Sequence, residues 1–439
     1  MIPAPSADVG RDAWKVLGIL LLANILNFFD RTLPAILAEP VRLEWGLSDA
    51  QIGLVGAAFT LAHAIAGVPL GRLADRLSRR WVIGLGLLVW SVLTGVNGLV
   101  GGFIALLIVR IGIGIGEAAF APAANSLVAD LFPPARRSRA MGILMMGLPI
   151  GVILAFFTTG AITEYFGTWR AAFFIAMVPG LLVTWLILRM PEPPRGRWDD
   201  EETAGAPPSK PIRRILSIPR IWPIVFSGVA FNFATYATAT FLVPNLQRYF
   251  GLSLTEAGLS TGLVIGVTGL IGLPLGGWIA DRVQARFAQG RLWFGAACLA
   301  GAAVLTWQAL SLPPDQPGLF IGLFAGGWLL HYGYYTAVYP TLHGLVEARL
   351  RATTMALYLA LCYLLGAAFG PLIVGLLSDR LAEGARLAAG AAEMQEAFRT
   401  IGLHGSLFIV PLALGLTALA LVATTVVPSS SASRHAATS

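Results

Sequence analysis

The stretch RIGIGIGEAAFAPAANSLVADLFPP, Arg110 to Pro134, sets an arginine and a glutamate seven residues apart in a run that is otherwise apolar and rich in glycine. Gly112 and Gly114 imitate the glycine turn that opens a dinucleotide-binding unit. That fingerprint wants its third glycine at position 117, which is Glu117, and a soluble βαβ unit after it. The run reads better as a helix that crosses a bilayer, because a hydrocarbon core about 30 Å thick takes about 20 apolar residues. Two ionisable side chains inside such a helix then demand an explanation.

The rest of the chain agrees with that reading. Its 439 residues are 56% hydrophobic and only 12% charged, with a mean hydropathy of +0.74, which excludes a set of soluble domains. The net charge of +7 would suggest nucleic acid in a soluble protein; in a membrane protein it belongs to cytoplasmic loops, and no nucleic-acid partner is expected. Cys298 and Cys362 both lie in apolar runs, so they read as buried small hydrophobes, with neither a disulfide framework nor a thiolate metal site. The N-terminus carries Arg11 and Lys15 before a long apolar segment and lacks a small-residue cleavage site at a suitable distance, which predicts an uncleaved first span.

Twelve segments meet the length requirement: 14–37, 49–71, 81–100, 103–126, 139–163, 168–189, 221–245, 255–279, 291–312, 317–339, 350–377 and 403–427. Between the sixth and seventh the composition changes to MPEPPRGRWDDEETAGAPPSKPIRR, too polar for lipid. The expected organisation is an N-terminal six-helix bundle over 1–189, a cytoplasmic linker over 190–220, a C-terminal six-helix bundle over 221–428 and a low-complexity tail over 429–439. With both termini inside, inner segments hold 22 of the 30 Lys and Arg residues and outer loops hold 6, and this asymmetry predicts cytoplasmic termini in a multi-pass cell-membrane protein, the inner membrane in a bacterium.

The halves echo one another. GVPLGRLADR, Gly67 to Arg76, closes the second span and GLPLGGWIADR, Gly272 to Arg282, closes the eighth; a weaker echo pairs SLVADLFPPARRSRAM with GLVEARLRATTM. Two pseudo-symmetric six-helix repeats of the same orientation imply two bundles around a pathway, with a site near mid-membrane. The fold class expected is therefore all-α integral membrane.

These motifs carry a resemblance. The loop GVPLGRLADRLSRR is similar to the signature loop of the major facilitator superfamily, and NFFDR, RIGIGIGEA, ADLFPPARRSRAMGI and GLPIG resemble the Spinster-like (Spns) transporters. The superfamily pattern covers all twelve spans; the subfamily match rests mainly on the N-terminal half. The resemblance implies a secondary transporter working by alternating access, without a cofactor, with protons, membrane lipids and a small-molecule or lipid solute as partners; a monomer is expected, although one sequence does not specify oligomeric state. Animal Spinster relatives move lysolipids and phosphosphingolipids, a cargo that similar bacterial proteins need not share.

Arg110 and Glu117 differ by about 20° around a helix axis and by about 10 Å along it, so they face one way, with Gly114 on the same face. An ionised side chain at mid-bilayer costs about 2.5 to 3.5 kcal/mol, so both look inward. Gly112 and Gly116 form a small-residue pair on another face, open to a neighbouring helix. The first span adds Asp30 and Arg31, which diverge by about 100°; Asn24, Asn27 and Arg31 form a polar stripe. Two readings remain open. The four charges sum to zero and serve as two ion pairs bracing the bundle, or a carboxylate, Glu117 first and Asp30 second, exchanges a proton when it moves relative to an arginine. Arg31 and Arg110, in the second reading, pair with the carboxylates or bind an anionic head group.

The motif loop has a different expected task. Asp75, with Arg72 and Arg76, and Asp130 after the fourth span would latch the cytoplasmic side, as the resemblance implies; the copy at Asp281 and Arg282 lacks the dense arginine set. Arg79 and Arg80 read as plain loop charge. In the C-terminal half Asn232, Tyr236 and Thr240 follow helical spacing, His331, Tyr332, Tyr335 and Tyr339 cluster, and Tyr358 and Tyr363 follow. Aromatic faces with hydroxyls suit an amphiphile, with Asn27, Asn232, Tyr236, Tyr332 and Tyr335 as contacts beside the arginines. The scattered histidines form no metal site, and His63 reads as a hydrogen-bonded core residue. The segment 378–402 has amphipathic character and reads as a solvated outer loop helix or one lying along the surface.

An enzyme acting on lipid would need a nucleophile and base or a metal cluster, and the sequence offers none. A receptor or scaffold retaining the fold is a further alternative. Among transporters, sugars, carboxylates and drugs compete with an amphiphilic or anionic solute, and fold does not separate them. No Walker lysine motif occurs, so ATP is not the direct energy source.

Overall fold

The computed structural model describes residues 10–198, 211–347 and 350–427; the expected tail over 429–439 and the middle of the linker lie outside them. The described residues are helical with short connections. Among the described residues eleven helices are long and apolar enough to cross a membrane. We label the spans α1 (Arg11–Ile36), α2 (Asp49–Arg76), α3 (Arg79–Asn97), α4 (Phe103–Leu131), α5 (Arg136–Phe166), α6 (Arg170–Arg189), α7 (Ile221–Phe250), α8 (Leu254–Arg286), α9 (Gly290–Leu310), α10 (317–344), α11 (Thr353–Ala388) and α12 (Glu396–Val426).

The expected tenth span is not one continuous helix. It is two pieces, Pro317–His331 and Gly333–Gly344, that meet at Tyr332. The Tyr332 hydroxyl donates to the Ile265 carbonyl at 2.5 Å. Ile265 lies in a π-helical turn, Gly262–Val267, inside α8, and α11 carries a second such turn at Cys362–Ala367. Each π-turn leaves carbonyls outside the regular ladder, and a hydroxyl from a neighbouring helix can satisfy one.

The chain forms two compact units. One runs to Leu37 and resumes at Ala58, carrying α1, most of α2 and α3 to α6. The other takes Ala38–Ala57 together with α7 to α12. Helix α2 thus starts in one unit and ends in the other.

Helices in lipid associate through close packing of small residues. In the first unit a Cβ on Gly116 would meet Gly86 O at 3.1 Å and Trp90 Cβ at 3.2 Å, so α4 lies tightly on α3. On another face, a Cβ on Gly114 would come within 2.7 Å of Phe59 O, so α4 also lies tightly on α2. The small-residue face expected at Gly112 and Gly116 is used, and Gly114 adds a second close contact not read from sequence. Helix α5 breaks near Met146, and Asn24 donates to the Leu144 carbonyl there at 2.7 Å.

In the second unit α7 ends at Gly251, whose φ of 69° is the left-handed cap that glycine adopts without strain. A capping box then opens α8: Ser253 Oγ accepts from Glu256 N at 3.2 Å and Glu256 Oε2 accepts from Ser253 N at 2.9 Å. The segment 378–402 corrects its expected role as a separate surface or loop helix. It extends α11 to Ala388 and opens α12 at Glu396, and the two helices pack so closely that a Cβ on Gly402 would lie 2.8 Å from Ala382 Cβ.

Arg42 and Arg248, expected as outer-loop charges, are buried in the second unit, with side chains 2% and 5% exposed. Arg248 donates to both oxygens of Asp49, at 2.7 and 2.9 Å, and to Glu39 at 2.6 Å. Arg42 pairs with Glu39 at 2.8 Å and Glu396 at 2.6 Å. These carboxylates hold the Arg42 guanidinium well above its ordinary pKa although burial opposes this. Asp379 accepts from the first N–H groups of α2, Asp49 N and Ala50 N, each at 3.0 Å, and a carboxylate is favoured at a helix N-terminus.

Candidate transport site

The four intramembrane charges come together in the first unit. Asp30 (2% exposed), Arg110 (3%) and Glu117 (1%) are buried. Arg31 donates to Glu117 Oε2 through Nε at 3.3 Å and Nη2 at 3.1 Å, and its Nη2 also donates to Asn27 Oδ1 at 3.3 Å. Arg31 of the polar stripe on α1, with Asn27 beside it, thus reaches across to α4, whereas Asn24 bonds α5. Asp30, about 100° away around α1, takes a different partner: it accepts from Thr94 Oγ1 of α3 at 3.4 Å.

Two features of this cluster were not read from sequence. Phe59 of α2 lies beneath both arginines, 4.5 Å from the Arg110 guanidinium and 5.4 Å from that of Arg31. A ring face so placed attracts each cation by roughly 0.5 to 2 kcal/mol. Phe59 passed as one more apolar residue because nothing local marks a ring that will face a cation. The second is Thr94, hidden in an ordinary-looking third span although Ser91, Thr94 and Asn97 recur at helical spacing.

The cluster is not closed on itself. Glu117 Oε1, Asp30 Oδ1, Arg110 Nε and Asn27 Nδ2 are buried and make no hydrogen bond among the described residues. Buried polar groups normally find a partner, so these atoms are the unsatisfied part of the cluster. His63 of α2 stacks on Phe59 with centroids 5.9 Å apart, beside this cluster.

At the other end of the first unit the motif residues separate. Asp75, Arg72 and Arg76 are exposed, whereas Asp130 is buried and pairs with Arg79. Arg79 corrects its assignment as plain loop charge: its side chain is 0% exposed, and it also bonds Glu192 at 3.1 Å, Ser126 Oγ at 3.2 Å and Pro193 O at 2.8 Å. Glu192 in addition accepts from Ser78 Oγ and from Arg79 N at 2.9 Å. Partial burial would raise its pKa, but these hydrogen bonds outweigh it and hold the carboxyl below its ordinary value. The start of the linker closes over the same place, with Gly196 N on Asp130 Oδ1 at 3.1 Å and Trp198 Nε1 on Asp130 O at 2.9 Å. In the second unit Asp281 pairs with Arg291 at 2.7 Å and Arg282 lies over Trp278.

The aromatic set of the second unit divides. Tyr334 and Tyr358 are buried in a hydroxyl chain, Ser227 Oγ to Tyr334 Oη at 2.9 Å and Tyr334 Oη to Tyr358 Oη at 2.7 Å. His331 is stacked between Phe231 and Trp328, with centroids at 4.1 and 4.4 Å. Tyr236, Tyr332, Tyr335 and Tyr363 are partly exposed; Tyr335 is 6.2 Å from Tyr332 and Tyr236 is 5.9 Å from Tyr363, centroid to centroid. Asn232 turns its amide back on its own helix, donating to Gly228 O at 2.8 Å. No cluster of three or more His, Cys, Asp or Glu residues suited to a metal occurs among the described residues.

Buried opposite charges inside a polytopic helical membrane protein, with repeated half-chain motifs, fit one class of protein, a transporter. The chain belongs to the Major Facilitator Superfamily, whose model matches residues 20–371. It is 31% identical over 379 residues to an MFS-type efflux pump of Mycolicibacterium smegmatis, covering 85% of this chain and 86% of that one. It is 28% identical over 387 residues to protein spinster homolog 1 of Mus musculus, covering 83% and 72%. Among solved structures, a bacterial homolog of the human lysosomal transporter Spinster, crystallised in an inward-facing and unoccupied conformation, superposes with a TM-score of 0.87 at 28% identity over 94% of this chain and 97% of that one. The resemblance to Spinster-like transporters seen in the motifs thus extends into both halves of the chain.

Proposed function

We propose that this transporter couples the movement of an amphiphilic or anionic organic solute to protons, by alternating access. The observation that carries the reading is the Arg31–Glu117 pair, in which one carboxylate oxygen is bound and its twin is buried and unpartnered. If the pair separates, Glu117 loses its compensating cation in a medium that disfavours a bare charge, and it takes up a proton. Arg31 and Arg110 are then released toward an anionic group, while the ring faces of Tyr236, Tyr332 and Tyr335 suit an apolar tail. Asp30 is the second proton carrier. Asp75, Arg72, Arg76, Asp130 and Asp281 act as cytoplasmic gate residues, both termini lie in the cytoplasm, and the protein works as a monomer. Likeness to Spinster homologues supports a lipid-like solute.

A second reading is export of drug-like solutes, favoured by the relative named an efflux pump. The test is uptake and counterflow in proteoliposomes under an imposed pH gradient, with a lysophospholipid, a sugar, a carboxylate and a cationic dye as competing probes. Proton-driven movement of the lysophospholipid or carboxylate, abolished by Glu117→Gln and Asp30→Asn while counterflow survives, is the expected result. Wild-type rate and pH dependence in both variants overturns the coupling, and transport of the dye alone selects export.

A further inference from the structure

Asn97, the last residue of α3, is 0% exposed, and neither its amide nitrogen nor its carbonyl oxygen makes a hydrogen bond among the described residues. Leaving a buried amide unpaired costs about 1 to 3 kcal/mol, so such a group has hydrogen-bonding capacity that a water can fill. Thr94 lies three residues back, about 4.5 Å along the axis and about 60° round it. It is 1% exposed and donates to Asp30 Oδ2 at 3.4 Å. The other oxygen of Asp30 is buried and unpartnered, as is Ser91 Oγ a further turn along the same helix. The groups that face Asp30 are Thr94 and Trp90 from α3 and Arg110 and Glu117 from α4.

We propose that Asn97 and Thr94 form a proton relay through the interior of the first unit, delivering protons from the end of the bundle opposite Arg79 to Asp30. The inference rests on the coupling role proposed for Asp30 and adds the route by which its proton arrives. Asn97 has a donor and an acceptor with which to hold a water, and Thr94 a hydroxyl that accepts one proton as it donates another. In the transfer a hydronium at Asn97 becomes water, Thr94 ends as it began, and the Asp30 carboxylate becomes a carboxylic acid. Arg79 starts α3 and Asn97 ends it, so the relay lies toward the end of the helix away from the arginine-rich loop, the outer side by the distribution of Lys and Arg. Every residue of the relay belongs to the first unit, so protons need not share the path of the solute.

The full-length protein in lipid bilayers is subjected to an acid pH jump while the carboxylic-acid infrared band is followed, with Asp30→Asn assigning the Asp30 component. Asn97→Leu and Thr94→Val are expected to slow the appearance of that component by about tenfold or more, with its final amplitude kept, and Asn97→Ser, which retains room and polarity for water, to restore most of the rate. Thr94→Val is isosteric and keeps the test intact if Asn97→Leu does not fold. Appearance of the Asp30 component at the wild-type rate in both variants overturns the relay alone. Absence of any titrating Asp30 component in the wild type overturns the coupling role of Asp30, and the relay with it.

Discussion

Arg31 donates twice to one oxygen of Glu117, at 3.1 and 3.3 Å, across the α1–α4 contact, and the Glu117 side chain is fully buried. Removing one member of a buried pair strands the other charge, at a cost of roughly 3 to 5 kcal/mol, whereas removing both does not. Arg31→Ala should therefore lower the thermal unfolding temperature in detergent markedly, and adding Glu117→Gln should restore most of the loss. A double variant no more stable than Arg31→Ala would contradict this pairing.

Arg79 and Arg76 stand three residues apart in one motif and should behave oppositely. Arg79→Ala leaves Asp130 and Glu192 without their buried cation and should cost several kcal/mol, on the order of 3 to 5, while exposed Arg76→Ala should stay within about 0.5 kcal/mol. Comparing unfolding temperatures of the two variants in one detergent checks the ranking.

Glu192 carries a pH dependence whose sign is fixed. Its folded pKa is depressed by the bonds from Ser78 and Arg79, so its contribution to stability is fully present above the unfolded carboxyl pKa, about 4.3, and is lost as the pH falls below it. Glu192→Gln should flatten this part of the profile of unfolding temperature against pH. An unchanged acid limb would remove Glu192 from the account.

In the second unit Asp379 caps the first two N–H groups of α2 and Arg248 grips Asp49 with two bonds. Asp379→Ala should cost about 0.5 to 2 kcal/mol as a lost cap. Arg248→Ala should cost more, because Asp49 and Glu39 lose a buried partner. Amide hydrogen exchange at residues 49–52 should quicken in both variants.

Two glycines separate packing from propensity. A Cβ at Gly114 would meet Phe59 O at 2.7 Å, whereas one at Gly142 meets nothing within 4 Å. Gly114→Ala should destabilise by roughly 1 to 3 kcal/mol through overpacking, and Gly142→Ala should be neutral or gain up to about 1 kcal/mol from reduced backbone freedom. Unfolding temperatures of both variants decide the matter.

By itself the sequence determined that this chain lives in lipid and that four charges are sunk in apolar helices. Those properties are local sums or fixed helical spacings: hydropathy over a span, and the 100° step that sends Asp30 and Arg31 to different helices. The pairings belonged to tertiary structure. That Arg31 meets Glu117, that Phe59 lies under two guanidinium groups, and that Arg79 is buried while Asp75 is exposed depend on how helices far apart in sequence come together, and an arginine in a loop carries no local mark of the carboxylate it will find. The break at Tyr332 and the π-turn at Ile265 were likewise hidden, since a hydroxyl bonding across to another helix's carbonyl leaves no periodic trace.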